Sequence, residues 1–436
     1  MRRLITAVLA ALVRIFFRRV EIAGRENVPV TGPVILAGNH PNALIDPVML
    51  LVHAGRPVSF MAKEPLFRTP VIGWLVRGLD SIPVYRRMDQ ADTRRNLATF
   101  TAARALLSAG GCIAIFPEGT SHSDPAMKPF RTGAARIALG AGAGGLVIVP
   151  VGLFYTAKTR FRSTALLCFG PPLQVSSTDA APGEPAAGPV RDLTRQLEEA
   201  LAALTVQADR HEALTLAEAA ERILSSSSGE PTDLTDRLQL RQRLIAGYAR
   251  LRSDRPDRLA AITSRITRYA ASLAEADLTP ERLPAHGYRA ATVLRVTLRA
   301  VVVLTLLLPL ALVGGAIHAP AWLLIDRIAR HYERTSPDLV ATVKALAGVL
   351  FYLLTWLIAA WWAGHEWGWG PGLGALAGAP VAGWAALRFL EEADRLIGGA
   401  RGLLLAMTGR RRFLRLVAER DAIREELRLL GRTYGV

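Results

Sequence analysis

From about residue 21 to 175, short apolar runs that end in polar loops alternate with segments of helical period. The runs at 34–37, 58–61, 82–84, 112–116, 146–151 and 165–169 read as strands, and the stretches at 47–54, 70–78, 92–109 and 131–141 read as helices. This alternation predicts an α/β domain with a mixed, largely parallel sheet flanked by helices. The stretch 176–189 (SSTDAAPGEPAAGP) is a linker by composition, which bounds the domain at 21–189. Beyond it, Val190, Leu193, Leu197, Leu201 and Leu204 fall on one helical face, and the same period returns between Leu238 and Leu273. The region 190–290 is therefore expected to be a helical accessory region without chemistry of its own.

Within 291–390 come three long apolar segments, at about 300–325, 340–363 and 371–390. Each is near the roughly 20 residues that cross a bilayer as a helix. Arg295 and Arg299 precede the first, Arg327, Arg330 and Arg334 follow it, and the loop 364–370 has neither Lys nor Arg. The positive-inside rule then sets both ends of the first segment on one side, together with both ends of the second and third taken as a pair. We expect a re-entrant first segment, broken around Pro309 and Gly314-Gly315, and a spanning hairpin made by the other two, the alternative being that all three span. The basic amphipathic tail 391–436 is expected either to rest on anionic headgroups or to form a solvated helix. Residues 1–20, with Arg2, Arg3, Arg14, Arg18 and Arg19 among apolar positions, are expected to form an interfacial helix with its apolar side in lipid.

The 436 residues suffice for two or three domains, and the formal net charge of +16 calls for an anionic partner. Phosphate-bearing substrates, anionic membrane lipid and nucleic acid would all answer to it. The apolar segments favour lipid, and neither aromatic–basic interleaving nor a nucleic-acid module is recognisable. Cys112 and Cys168 lie in apolar runs with no metal-ligand spacing and no disulfide framework. That usage fits a protein whose working face is cytoplasmic.

Candidate chemistry sits where strands end. The run 34–37 leads into Gly38-Asn39-His40-Pro41-Asn42-Ala43-Leu44-Ile45-Asp46-Pro47. An imidazole can take a proton near neutral pH, and a nearby carboxylate can orient it and stabilise its charge. No Ser or Cys of the nucleophile-elbow type accompanies the pair, so it suits direct activation of a substrate hydroxyl. The run 82–84 ends in Tyr85-Arg86-Arg87, the run 112–116 in Pro117-Glu118-Gly119-Thr120-Ser121, and another run holds Pro150. These loops are expected to meet at one sheet edge. Arginine matches phosphate oxygens bidentately. His53 and His122 read as bystanders.

These four ordered segments resemble the motifs of the glycerolipid acyltransferase superfamily. His40 and Asp46 match its His/Asp pair, Arg86 its second motif, Phe116-Pro117-Glu118-Gly119 its third and Pro150 its fourth. The common pattern has four residues between His and Asp, whereas Pro41 to Ile45 make five here. The longer form, with FPEGTSHS at 116–123 and KPFRTG at 128–133, is similar to the branch that acylates glycerol-3-phosphate or dihydroxyacetone phosphate. The resemblance implies acyl transfer from a thioester, carried by coenzyme A or acyl carrier protein, to a glycerol hydroxyl, with no metal and no other cofactor. His40 would be the general base and Asp46 its orienting acid. Asn39, Arg86, Phe116, Pro117, Glu118, Gly119 and Pro150 would hold substrate, Arg86 at the acceptor's phosphate. Arg87, Lys128, Arg131 and Arg162 are second-rank phosphate candidates. The rival acceptor is lysophosphatidic acid (1-acylglycerol-3-phosphate), and a rival of another class is a non-catalytic membrane-remodelling protein on the same fold. Oligomeric state is not legible.

Overall fold

The computed structural model describes residues 1–86, 93–175, 184–226, 233–283, 290–333, 335 and 338–434. The chain divides into two units, Met1–Gln207 with Tyr332–Ala345, and Ala208–His331 with Leu346–Val436.

The first unit is built on β1 (Arg19–Ala23), β2 (Val34–Gly38), β3 (Ser59–Lys63), β4 (Ile82–Val84), β5 (Cys112–Ile115), β6 (Val147–Tyr155), β7 (Thr164–Phe169) and β8 (Leu173–Gln174). Their order in the sheet is β1-β7-β6-β2-β5-β3-β4, with β8 paired to β6. Strands β1/β7, β6/β2, β2/β5, β5/β3 and β3/β4 run parallel, and only β6/β7 and β6/β8 are antiparallel. The sheet is thus mixed and largely parallel, as the alternation of runs predicts. Strands β2, β5 and β6 are buried along their whole length, which is why they read as unbroken apolar runs. Side chains alternate between two cores. Val34, Leu36, Cys112, Ala114, Val149 and Val151 face α1 (Arg2–Phe16) and α2 (Ile45–His53). Ile35, Ala37, Ile113, Ile115 and Ile148 share the other core with α5 (Asn96–Ser108), α6 (Gly133–Gly140) and α7 (Ala187–Ala203). Two short helices, α3 (Pro65–Arg68) and α4 (Pro70–Gly78), join β3 to β4.

Two expected boundaries move. Val190, Leu193 and Leu197 of α7 lie in the core of the first unit, so this unit extends past 189 to Gln207. Ile5, Val13 and Phe16 of α1 pack into the first core, while Leu4, Val8 and Ile15 are its large apolar side chains left exposed.

The second unit is helical: α8 (His211–Ser225), α9 (Leu234–Asp254), α10 (Pro256–Glu275), α11 (Ala290–Glu333), α12 (Val340–Trp367), α13 (Trp369–Thr408) and α14 (Arg410–Tyr434). The stretches Thr297–Glu333, Val340–Trp367 and Trp369–Thr408, of 37, 28 and 40 residues, are long and apolar enough to cross a membrane. The expected break at Pro309 and Gly314-Gly315 is not there, since α11 is one continuous helix. A proline in an apolar helix is tolerated where neighbouring groups serve the freed carbonyl. Gly314 is instead a close-approach site: a Cβ there would come within 2.0 Å of the Ala382 carbonyl oxygen of α13. The tail also departs from expectation. Phe413, Leu416, Ile423 and Leu430 of α14 join Ala220, Ile223, Ile262, Ile266 and Leu273 in one core, so its apolar stripe packs on helices.

Candidate active site

Because β2, β3, β4 and β5 are mutually parallel, and β6 runs with them, their C-terminal ends share one edge. The loop 39–44, Tyr85-Arg86 and Phe116–Ser121 all leave from that edge. Ala37 stands opposite Ile115 on one side and Pro150 on the other.

Asp46 lies in the first turn of α2 and is fully buried. Burying a carboxylate is costly unless donors surround it, and here they do. Its Oδ2 faces His40 Nδ1 at 2.9 Å and accepts from the Asn42 N–H at 2.7 Å, while Oδ1 accepts from the Tyr155 hydroxyl at 2.6 Å. Burial, and secondarily the Asp46 charge, hold the Tyr155 phenol well above its ordinary range, so it remains an O–H donor. With the His40 Nδ1 proton aimed at Asp46, the Nε2 lone pair is left to accept a proton. The His40 ring stacks on Phe116 with centroids 4.0 Å apart and planes 13° from parallel. It is 16% exposed, open enough for a small acceptor to reach.

Glu118 ties two loops together. Its carboxylate, almost fully buried, accepts from the His40 N–H (3.2 Å) and the Lys128 N–H (2.9 Å) and bonds His122 Nε2. His122 Nδ1 accepts from the Asp124 N–H at 3.2 Å, which leaves its proton on Nε2. The His122 N–H in turn donates to the His40 carbonyl at 3.1 Å. Gly119 follows with φ +74°, a conformation that favours glycine, and its carbonyl accepts from Arg86 Nη1 at 2.8 Å. Beside His40 opens a cavity of about 170 Å³ whose wall includes Asn39, Glu118, His122, Met127, Tyr155 and Lys158. Lys158 Nζ donates to Ser123 Oγ and, at 3.4 Å, to the Pro41 carbonyl. Burial lowers the Lys158 pKa from the ordinary lysine value, opposed by Asp338, Asp46 and Asp124.

Comparison with known proteins bears on both halves of the chain. Residues 19–153 match the acyltransferase family, and residues 216–435 match the glycerol-3-phosphate acyltransferase 2 C-terminal domain. The chain belongs to the glycerolipid acyltransferase superfamily. Among members of the superfamily, it is 25% identical over 413 residues to an uncharacterized acyltransferase of Schizosaccharomyces pombe, which covers 74% of this chain and 61% of that protein. It is 24% identical over 444 residues to glycerol-3-phosphate O-acyltransferase 1 of Saccharomyces cerevisiae, covering 78% of this chain and 58% of that one. The chain thus spans about three fifths of the length of these two relatives. A 1-acyl-sn-glycerol-3-phosphate acyltransferase of Chlamydomonas reinhardtii is 35% identical over 143 residues, 33% of this chain and 40% of that protein.

Set against the superfamily motifs, the expected residues that the structure describes fall into two groups. His40, Asp46, Asn39, Phe116 and Glu118 come together around the cavity or the imidazole, and Arg86 joins them through Gly119. Asn39 and Glu118 spend their polar groups on the protein: the Asn39 amide makes both a donor and an acceptor bond with the Leu153 backbone, at 3.1 and 2.7 Å. They shape the pocket from its wall. A second group is scaffold. The Pro117 carbonyl accepts from the Arg131 N–H, and Pro150 is buried inside β6 with its carbonyl on the Gly170 N–H. Arg162 Nη1 donates to the Arg14, Ile15 and Phe17 carbonyls, where it caps the end of α1 away from the cavity. Lys128 Nζ lies 3.4 Å from Asp124, and Arg131 is exposed. Arg87 lies outside the described residues. Tyr155, Lys158 and His122 also line the cavity, and the sequence alone assigns none of them a role. Tyr155 was within reach, because the period-two pattern of β6 continues through Val151 and Leu153 to it on the α2 face.

Proposed function

We propose that the chain is a membrane-bound acyltransferase that moves a fatty acyl group from an acyl thioester to a hydroxyl of glycerol-3-phosphate in phospholipid synthesis. The observation that carries this reading is the buried Asp46 beside His40, with both carboxylate oxygens held by donors. His40 Nε2 takes the hydroxyl proton as the oxygen attacks the thioester carbonyl. Asp46 keeps the Nδ1 proton oriented and stabilises the imidazolium. The tetrahedral adduct then collapses, the C–S bond breaks, and the thiolate leaves with the proton that His40 has held. Arg86 and Lys158 supply positive charge for the acceptor's phosphate. The donor is acyl-coenzyme A or acyl carrier protein.

Similarity to a glycerol-3-phosphate acyltransferase over 444 residues, helical region included, favours glycerol-3-phosphate as acceptor. Lysophosphatidic acid is the second reading, supported by the likeness to a 1-acyl-sn-glycerol-3-phosphate acyltransferase over 143 residues, a third of the chain. The apolar helices are assigned to the bilayer and the site to its cytoplasmic face. Purified protein in anionic vesicles, given acyl-coenzyme A with either acceptor, tests all of this through thiol release. We expect turnover with glycerol-3-phosphate and a loss of about 10² or more in H40A. Lipid binding without turnover on either acceptor would instead favour the membrane-remodelling alternative.

A further inference from the structure

Between α11 and α12 the chain returns to the catalytic unit, which includes Tyr332–Ala345. Val340 and Ala341 are buried, and Ala341 shares the core that holds Phe17, Ile45 and Met49. Three polar contacts fasten this segment to three loops at the strand-end edge. The Leu44 N–H donates to Thr342 Oγ1 at 3.1 Å, the Ser121 hydroxyl to Asp338 Oδ2 at 2.6 Å, and Lys344 Nζ to the Thr159 carbonyl at 2.9 Å. The first of these bears on the chemistry. Leu44 is the N-cap of α2, two residues before Asp46 and four after His40, and its side chain cannot cap. Its N–H precedes the helix, so no carbonyl of α2 is placed to receive it. Thr342 supplies the missing acceptor.

We infer that Thr342 is a positioning residue for the His40–Asp46 pair, and that residues 338–345, which include the first turns of the apolar helix α12, are a strap that holds the catalytic loop in register. The inference rests on the acyltransferase reading for its kinetic consequence, while its structural consequence does not. A catalytic pair displaced by a fraction of an ångström loses rate far more readily than substrate affinity.

The test uses the full chain in vesicles and compares T342V, which keeps the shape and removes the acceptor, with T342S, which keeps the hydroxyl. We expect T342V to lower kcat about tenfold with KM for glycerol-3-phosphate unchanged within about twofold, to speed backbone amide exchange over residues 39–46, and to leave Tm near wild type. T342S should return both readouts. Wild-type kcat and exchange in T342V would overturn the inference, as would a slower T342V whose exchange at 39–46 is unaltered or which serine does not rescue. A wild type inactive on both acceptors defeats the proposed function alone, since the exchange arm still reads the strap. If T342V does not fold, D338A, which removes the acceptor of the Ser121 hydroxyl, serves in its place: faster exchange over 118–123 is expected, and unaltered exchange there overturns the strap.

Discussion

Replacing Asp46 by asparagine separates charge from geometry at the centre of the site. In many His–carboxylate pairs an amide can turn its NH2 toward the ring and force the wrong tautomer, a change that costs about 10⁴ in the serine protease case. Here the Asn42 N–H points at the same Oδ2 that faces His40 Nδ1. An NH2 group at that position would meet a second donor, so the amide oxygen must occupy it and the NH2 must face the Tyr155 hydroxyl, which can accept. The tautomer is therefore preserved and only the charge is lost. Opposite unit charges about 4 Å apart attract by ~4 kcal/mol at an effective dielectric of 20, which sets a ceiling near 10³ on the rate effect. We expect D46N to lose about 10² in kcat and to unfold near the wild-type temperature, measured by thiol release with saturating acyl-coenzyme A. Because the two residues act as a unit, H40A combined with D46N should be no slower than H40A alone. A D46N enzyme within tenfold of wild type, or a double variant that multiplies the two losses, would refute the arrangement.

Tyr155→Phe leaves Asp46 Oδ1 buried without its donor, which should cost about 1–3 kcal/mol of stability, read as a shift in the chemical unfolding midpoint; an unchanged midpoint would mean water or another donor serves that oxygen. Lys158→Met keeps the stem and removes the cavity's cation, so KM for glycerol-3-phosphate should rise about tenfold with kcat less affected, and a KM equal to wild type would remove Lys158 from the phosphate assignment. Burial pushes the Cys112 thiol from its ordinary value of 9.0 up to about 12. The folded state therefore holds this proton more tightly than the unfolded chain, and the stability linked to it is complete below pH 9 and declines as pH rises toward 12. Native protein treated with a maleimide at pH 8 should leave Cys112 unmodified, and labelling at the rate of a free peptide thiol would contradict its burial.

The central strands were legible because strands buried on both faces leave continuous apolar runs, as in 112–116 and 146–151. β1 was not, since its side chains are half exposed and its sequence, RVEIA, has no such run. The meeting of three motif loops at one edge followed from parallel strands alone, whereas the fourth motif residue, Pro150, lies inside β6. The hydrogen bonds that give each residue its part did not. In the fold Asn39 bonds the Leu153 backbone, and Glu118 bonds the His40 and Lys128 N–H groups as well as the His122 ring, and the backbone partners leave no trace in residue identity. The α14 stripe was ambiguous for a related reason: one amphipathic pattern serves a lipid surface and a helical core equally well. Only the presence of Ile223, Ile262 and Leu273 as partners decides it.

The core that α14 shares with the segment before α11 also imposes a counting rule. Leu278 and Leu283 precede the three apolar helices, Phe413 and Leu416 follow them, and all four side chains are buried in the same cluster. The Leu283 carbonyl accepts from Arg420 Nη1 at 2.6 Å, and Arg282 reaches Asp394 at 2.9 Å. A chain that leaves a compact body and comes back to it must traverse any intervening bilayer an even number of times. Among α11, α12 and α13 the number of crossings is therefore two or none, never three, although each helix by itself is long and apolar enough. Labelling that found residues 283 and 413 on opposite faces of a vesicle would require this core to come apart.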